Sequence, residues 1–318
     1  MSHCIRKIGN KTKADIILNK YFVSSLRSSF VEVGEHNICM PEYYKVYYQR
    51  IRDVEIREDD VFLAGFTKSG TRWAQEMVWL IVNNFDYQRA KTIELAKRAP
   101  LLELNALFKP DFDVGFDKDN VKLFKSMESP RCVRTHLEWN LLPADIVNGL
   151  KKPKIIVTLR RPEDVCVSYF HHSKEHEKYS GSFENFCETF LAGRVPHGPF
   201  WSQVFSYWNK KENDNILFIK YSDMKTDLTS VIKEVSKFLD KSMSTDEMVT
   251  LSEHLTFDSL KKNKCFNNEH LLDANSKCNP WIRRGVLDGY KSSMSAELQQ
   301  KFQLWTEQHL KGTDLIIN

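Results

Sequence analysis

No Cys-x-x-Cys pair occurs in the chain; its seven cysteines (Cys4, Cys39, Cys132, Cys166, Cys187, Cys265 and Cys278) are scattered and odd in number. That pattern argues against both a disulfide scaffold and a zinc site. No apolar run reaches the roughly 18 residues that a membrane-spanning helix needs. Met1 to Asn10 lacks the long apolar core of a signal peptide, so the cytosol is the expected compartment, and the sequon at Asn10-Lys11-Thr12 reads as a chance match. Blocks of like charge are missing too. The lysine clusters Lys151-Lys152-Pro153-Lys154 and Lys261-Lys262-Asn263-Lys264 are interrupted, and the formal net charge is only +4. A balance of that size attracts small anionic ligands and leaves no nucleic-acid footprint. Neither a repeat nor a low-complexity linker divides the 318 residues. That length fits one large α/β domain or two small ones.

What the chain does have is Phe62-Leu63-Ala64-Gly65-Phe66-Thr67-Lys68-Ser69-Gly70-Thr71-Arg72-Trp73, an apolar strand, a polar glycine turn and the start of a helix. Met77, Val78, Leu80, Ile81 and Val82 continue at helical spacing, which sets the turn at a helix N-terminus. Backbone N–H groups there lack helical partners, so a phosphate or sulfate can accept from them, with Lys68 as a cation and Ser69 and Thr71 as hydroxyl donors. Gly65 and Gly70 are spaced as in the nucleoside-triphosphate loop G-x-x-x-x-G-K-[ST], but Thr71 and Arg72 follow the second glycine and the lysine precedes it. The competing readings are a true triphosphate loop, a purely structural turn and another kind of anion loop; the third fits best.

Lys154-Ile155-Ile156-Val157-Thr158-Leu159 reads as a buried parallel strand that ends in Arg160-Arg161-Pro162. Pro162, Glu163 and Asp164 suit the first turn of the helix that follows. Asn215 to Tyr221 is a third strand, with Ser222-Asp223 as a helix start and Val231, Ile232, Val235, Phe238 and Leu239 on one face. Arg131 to His136 is a short β-like segment with a histidine at its end. Strands alternating with helices imply a parallel sheet covered on both faces, with ligands at the C-terminal strand ends.

Three elements could carry chemistry. His136, one of ten histidines, follows the cation Arg134, and a neutral imidazole there could take a proton from a hydroxyl nucleophile. Arg160 and Ser168 lie about two helical turns apart and could clamp an anion if the intervening turn folds back. Trp281-Ile282-Arg283-Arg284-Gly285 reads either as surface arginines before a turn or as an anion lid, and Trp73 either as core or as a base-stacking aromatic. Together they ask for a nucleotide-like ligand with phosphates at both ends.

In order and spacing, Lys68-Ser69-Gly70-Thr71-x-Trp73, Arg134-Thr135-His136, Arg160 with Ser168, and Arg283-Arg284-Gly285 resemble the cytosolic sulfotransferases over roughly residues 40 to 315. The insect members are the nearest in kind. The resemblance implies a single α/β domain over residues 1–318, with a P-loop-like parallel sheet flanked by helices and with residues 1–35 the part it defines least. It implies sulfonate transfer from 3′-phosphoadenosine 5′-phosphosulfate (PAPS) to a small hydroxyl acceptor, releasing 3′-phosphoadenosine 5′-phosphate (PAP), without a metal.

By that resemblance Lys68, Ser69, Gly70, Thr71 and Arg72 form the phosphosulfate loop, Trp73, Phe257 and Tyr221 meet the adenine, and Arg160, Ser168, Arg283, Arg284 and Gly285 hold the 3′-phosphate. His136 corresponds to the catalytic base, with Lys68 and Arg134 as supporting cations. Phe108, Phe170, Phe200 and Trp201 are candidates to line an apolar acceptor pocket for a phenol, steroid or other alcohol. Thr67 stands where proline is usual, Arg72 where a second threonine is usual and Arg134 where lysine is common. The family's dimer motif survives only as Lys291, Ser295, Ala296 and Gln300, which leaves monomer and homodimer open. Sulfonation that ends in dehydration of an alcohol such as a retinoid, an inactive nucleotide or lipophile binder, and a nucleoside-triphosphate kinase are the alternatives.

Overall fold

The computed structural model of the chain describes residues 4–110, 119–267, 285 and 287–317. Near the N-terminus β1 (Ile5–Lys7), β2 (Phe30–Val33) and β3 (Ile38–Pro41) pair antiparallel into a small sheet. The central sheet is parallel and contains β4 (Val61–Ala64), β5 (Cys132–Thr135), β6 (Lys154–Leu159) and β7 (Ile216–Lys220), in the order β5-β4-β6-β7. This is the α/β architecture expected from the alternating pattern. Tyr221, expected as the end of the last strand, already opens the helix Tyr221–Thr226.

Both faces of the central sheet are covered, which is why its strands read as continuous apolar runs. Successive side chains point to opposite faces. Phe62, Ala64, Val133, Ile155, Val157 and Leu159 accordingly enter one core, whereas Val61, Leu63, Cys132, Ile156 and Ile219 enter another. The N-terminal sheet contributes Phe30, Val31, Val33, Ile38 and Met40 to the first of these cores. Full burial of a ring such as Phe62 stabilises the fold by about 1.5–3 kcal/mol.

The strand order positions the site. β4 pairs with β5 on one side and with β6 on the other, so Ala64 stands in register with both Thr135 and Val157. The chain runs from β4 to β5 on one side and then crosses back to β6 on the other, and a parallel sheet opens a crevice at such a reversal, beyond its C-terminal ends. The helix after β6 spans Pro162–His176, with Pro162, Glu163 and Asp164 in its first turn as expected. Among the described residues no helix is long and apolar enough to cross a membrane.

Candidate active site

Each strand of the central sheet delivers one element to the same crevice. β4 runs into the Gly65–Gly70 turn, β5 into His136, β6 into Arg160 and β7 into Tyr221. Lys68, Gly70, Thr71, Arg72, Trp73, Arg134, His136, Arg160, Ser168, Tyr221, Phe257 and Gly285 all line one cavity of about 270 Å³ there.

Close packing shapes the turn. A Cβ on Gly65 would lie 2.4 Å from Thr158 Oγ1, and one on Gly70 would lie 2.7 Å from the Tyr221 ring, so neither position has room for a side chain. Gly70 has φ 98° and Lys68 has φ 69°, a left-handed conformation uncommon for a residue with a side chain. The Ser69 hydroxyl is occupied within the loop, donating to the Phe66 carbonyl at 2.6 Å and lying 2.7 Å from Thr158 Oγ1. Among the described residues, the backbone N–H groups of Lys68, Gly70 and Thr71 donate to no protein acceptor. Groups of that kind at the start of the helix Thr71–Val82 form an anion seat.

His136 is 6% exposed, and its surroundings assign its protons. Nδ1 lies 2.7 Å from the Gly65 carbonyl, which can only accept, so Nδ1 carries the hydrogen and Nε2 keeps its lone pair. Burial, then the Arg134 charge and the neighbouring His197, push its pKa down to about 3. The imidazole therefore stays neutral throughout the physiological range. The buried Glu103 holds the segment, accepting from the His136 N–H at 2.7 Å and the Thr135 hydroxyl at 3.0 Å. Burial acts to raise the Glu103 pKa, but His197 and His136 outweigh it and keep the carboxylate below its ordinary value.

Cations crowd the other wall. Burial, then the charges of Arg160, Arg134 and Arg72, lower the Lys68 pKa to about 8. Burial lowers Arg134 to about 10 and, with the Arg134 charge, Arg72 to about 9. Arg160 donates from Nη1 to the Lys68 carbonyl at 3.0 Å and stacks over Tyr221 at 4.1 Å, while its buried Nε has no partner among the described residues. So dense a cation cluster is relieved by a bound anion.

The sequence pattern of the sulfotransferase domain matches residues 58–314. The chain belongs to the sulfotransferase family. It is 33% identical to luciferin sulfotransferase of Photinus pyralis over 98% of this chain and 88% of that one, in keeping with the insect-type resemblance. It is also 32% identical to Sulfotransferase 1E1 of Homo sapiens over 88% of this chain and 93% of that one. Among solved structures, retinol dehydratase in complex with androsterone and the inactive cofactor PAP superposes with a TM-score of 0.89 at 25% identity, covering 99% of this chain and 98% of that one. The chain is thus a PAPS-dependent sulfotransferase.

Within this sulfotransferase the residues picked from sequence divide into three groups. Those of the loop and the strand ends converge on the cavity, except Ser69, which is buried behind the loop, and Phe108 joins them. Arg72 does not crowd the loop: its guanidinium donates to the Phe266 carbonyl and stacks on the Phe266 ring at 5.2 Å, fixing that turn over the cavity. Trp73 is likewise tied by its indole N–H to the Leu255 carbonyl at 3.0 Å. Gly285 has φ 59° and comes so close to Phe257 that a Cβ would lie 2.9 Å from its ring.

Phe170, Phe200 and Trp201 are corrections, because none of them lines this cavity. Phe170 packs against Phe183 and Phe186, at 5.0 and 5.7 Å, and Phe200 against Phe66 at 5.1 Å. Trp201 faces a separate cleft with Phe205, Trp305 and His309. An aromatic ring serves a core as well as a pocket, and here the core claimed them. Arg283 and Arg284 lie outside the described residues. Ser295 caps the final helix, Ala296–Leu310.

The cavity lining that sequence reasoning missed includes Leu101, Leu104, Leu107, Tyr169, His172 and His197. Residues 100–102 pair with the free edge of β5, where Arg134 N–H donates to the Pro100 carbonyl at 2.8 Å and Leu102 N–H to the Arg134 carbonyl at 2.9 Å. That pairing brings the leucines beside His136. Glu103 and His197 have no local signature. The Pro196-His197-Gly198-Pro199 turn was the one available signal for the histidine.

Proposed function

We propose that the chain transfers a sulfonate group from PAPS to the hydroxyl of a small apolar acceptor, a phenol, steroid or other alcohol, with His136 as the general base. The observation that carries this reading is the His136 tautomer: Nδ1 is committed to the Gly65 carbonyl, which leaves Nε2 unprotonated in the cavity that Lys68 also lines. Such a nitrogen accepts the acceptor's hydroxyl proton as the oxygen attacks.

The residues fit the donor nucleotide. The loop N–H groups and the Arg160 Nε, unmatched among the described residues, and the lowered Lys68 all gain from bound phosphate. Lys68, Ser69, Gly70, Thr71 and Arg72 would surround the 5′ end, with Ser69 bracing the loop. Trp73, Tyr221 and Phe257 would flank the base. Arg160, Ser168 and Gly285, with Arg283 and Arg284 from outside the described residues, would hold the 3′-phosphate. The donor supplies an activated sulfonate, and Lys68 with the loop N–H groups stabilises negative charge growing on the departing phosphate oxygen. Arg134 adds charge to the same wall. With these cations in place the reading calls for no metal ion. It carries with it a cytosolic place of work and either a monomer or a homodimer.

The likeness to retinol dehydratase favours a second reading, in which sulfonation is followed by elimination and the net reaction is dehydration of the alcohol. Mass spectrometry of products from PAPS and a panel of hydroxyl acceptors separates the two, since one product gains a sulfonate and the other loses water. His136→Ala is expected to lower turnover by about 10²- to 10⁴-fold while PAP binding persists. PAP binding without either product would reduce the chain to a binder, and ATP turnover without PAP affinity would overturn the assignment.

A further inference from the structure

Two imidazoles, not one, line the acceptor side of the cavity. His197 is 3% exposed, and its ring lies 5.5 Å from that of His136, centroid to centroid. Among the described residues Nδ1 has no hydrogen-bond partner, and Nε2 meets only the Glu103 carboxylate, at 3.4 Å from Oε1. A buried polar group left in that state costs about 1–3 kcal/mol, which a ligand can recover.

The backbone shows that this position is built. His197 sits in the left-handed region with φ 67°. Its N–H donates to the Cys39 carbonyl at 2.8 Å, and Cys39 N–H returns a bond of 2.8 Å to Gly198. The turn is therefore laced to β3 of the N-terminal sheet, and the ring has little freedom to seek a partner elsewhere. The nearby Glu103 carboxylate favours hydrogen on Nε2, which leaves the Nδ1 lone pair as the acceptor.

We infer that His197 receives a second hydroxyl of the acceptor, and that the preferred substrates are compact arenes carrying two adjacent hydroxyls. The reacting hydroxyl donates to His136 Nε2 and its neighbour to His197 Nδ1, while Leu101, Leu104, Leu107 and Phe108 cover the apolar body. Rings 5.5 Å apart, each reaching about 2.8 Å to its oxygen, bring two oxygens of one small ligand within reach of both imidazoles. An acceptor with one hydroxyl leaves Nδ1 unmatched. That is the setting in which a site discriminates strongly against the analogue lacking the group. The inference rests on the sulfonate-transfer reading and specifies its substrate class.

The test compares 2,3-dihydroxynaphthalene with 2-naphthol, using PAPS as donor and kcat/KM as the readout. The wild-type protein is expected to favour the diol by at least about tenfold after correction for its two equivalent hydroxyls. His197→Phe, which keeps the ring volume, is expected to bring that ratio close to one. His197→Gln, which retains an acceptor, should restore part of it. A wild-type ratio near one overturns the inference whatever the variants do, while sulfonation of both naphthols leaves the enzymatic reading intact. Equal losses on both acceptors in His197→Phe also overturn it, because they mark a packing role. Failure of the wild type to sulfonate either compound, together with no product from the wider acceptor panel, removes the underlying reading and this inference with it.

Discussion

Buried Arg27, Arg98 and Arg131 each face a carboxylate, Glu177 at 3.0 Å, Glu76 at 2.7 Å and Asp60 at 2.6 Å respectively. Lys68, Arg134 and Arg160, gathered at the strand ends, have no carboxylate within ion-pair distance among the described residues. Their side-chain bonds go to neutral groups, Arg160 to the Lys68 carbonyl and Arg134 to Gln75 at 3.3 Å. The pKa values move accordingly. Burial lowers Arg27, but the Glu177 charge and hydrogen bonds outweigh it and hold the guanidinium above its ordinary value. At the site the opposing carboxylates, Glu177 for Lys68 and Glu103 for Arg134, make no ion pair with these cations among the described residues; burial prevails, and Lys68 and Arg134 fall. One set of cations is neutralised by the fold and the other is left for a ligand. Charge that serves structure arrives with its counterion, whereas charge that serves binding is kept in deficit.

The largest effect should come from breaking the first set. Asp60 receives two bonds from Arg131, from Nε at 2.7 Å and from Nη2 at 2.6 Å, and the guanidinium also stacks on Phe124 at 4.3 Å. Asp60→Ala leaves that guanidinium buried and bare, at a cost of about 3–5 kcal/mol in urea unfolding. Adding Arg131→Met should recover much of the loss. A single-mutant cost under about 1 kcal/mol would erase the distinction between the two sets.

The second set should respond in the opposite way. Arg160→Ala is expected to weaken PAP binding by about 1.5–3 kcal/mol in calorimetric titration. Unfolding free energy without nucleotide should stay level or rise, because a cation without a carboxylate has been removed from a cationic cluster. A stability loss on the scale of Asp60→Ala would make Arg160 a structural residue.

The same division governs how much was legible from sequence. Phosphate binding uses backbone at strand ends, and backbone is local: Gly65, Lys68 and Gly70 follow β4 directly, so the loop could be read residue by residue. Arg160 and His136 were legible for the same reason, each being the first residue beyond a strand. The apolar wall of the cavity joins residues 101–108, 169–172 and 197, brought together by edge pairing along β5 and by lacing to β3. No spacing in the sequence reports that. Aromatic content was the only guide, and it led to Phe170, Phe200 and Trp201, which the core and a neighbouring cleft use. The N-terminal antiparallel sheet went unread because its strands are three or four residues long, too short for alternation to stand out.

Acidity sharpens the comparison further. Lys68, lowered to about 8 without nucleotide, is charged below that pH in both free and bound protein, so PAP affinity should be flat there. Above pH 8 the free protein loses the proton while the bound anion retains it, so binding takes up a proton. Affinity should then fall by up to about tenfold per pH unit. Titrations at increasing pH check this, and a flat profile to pH 9.5 would show that no charge deficit exists at Lys68.

The smallest effect isolates Arg134, whose charge acts on Lys68 together with those of Arg160 and Arg72. Arg134→Lys keeps the charge and gives up the 3.3 Å bond to Gln75, so the pH at which PAP affinity begins to fall should stay in place. Arg134→Gln removes the charge but leaves burial and Arg160 acting on Lys68. The onset should then rise by less than about one pH unit, since one of several cations contributes only a fraction of the total. Equal shifts in the two variants would trace the effect to the Gln75 contact instead of charge. Lys68 would then owe its low pKa to burial, Arg160 and Arg72, and Arg134 would drop out of the cluster that keeps the site in deficit.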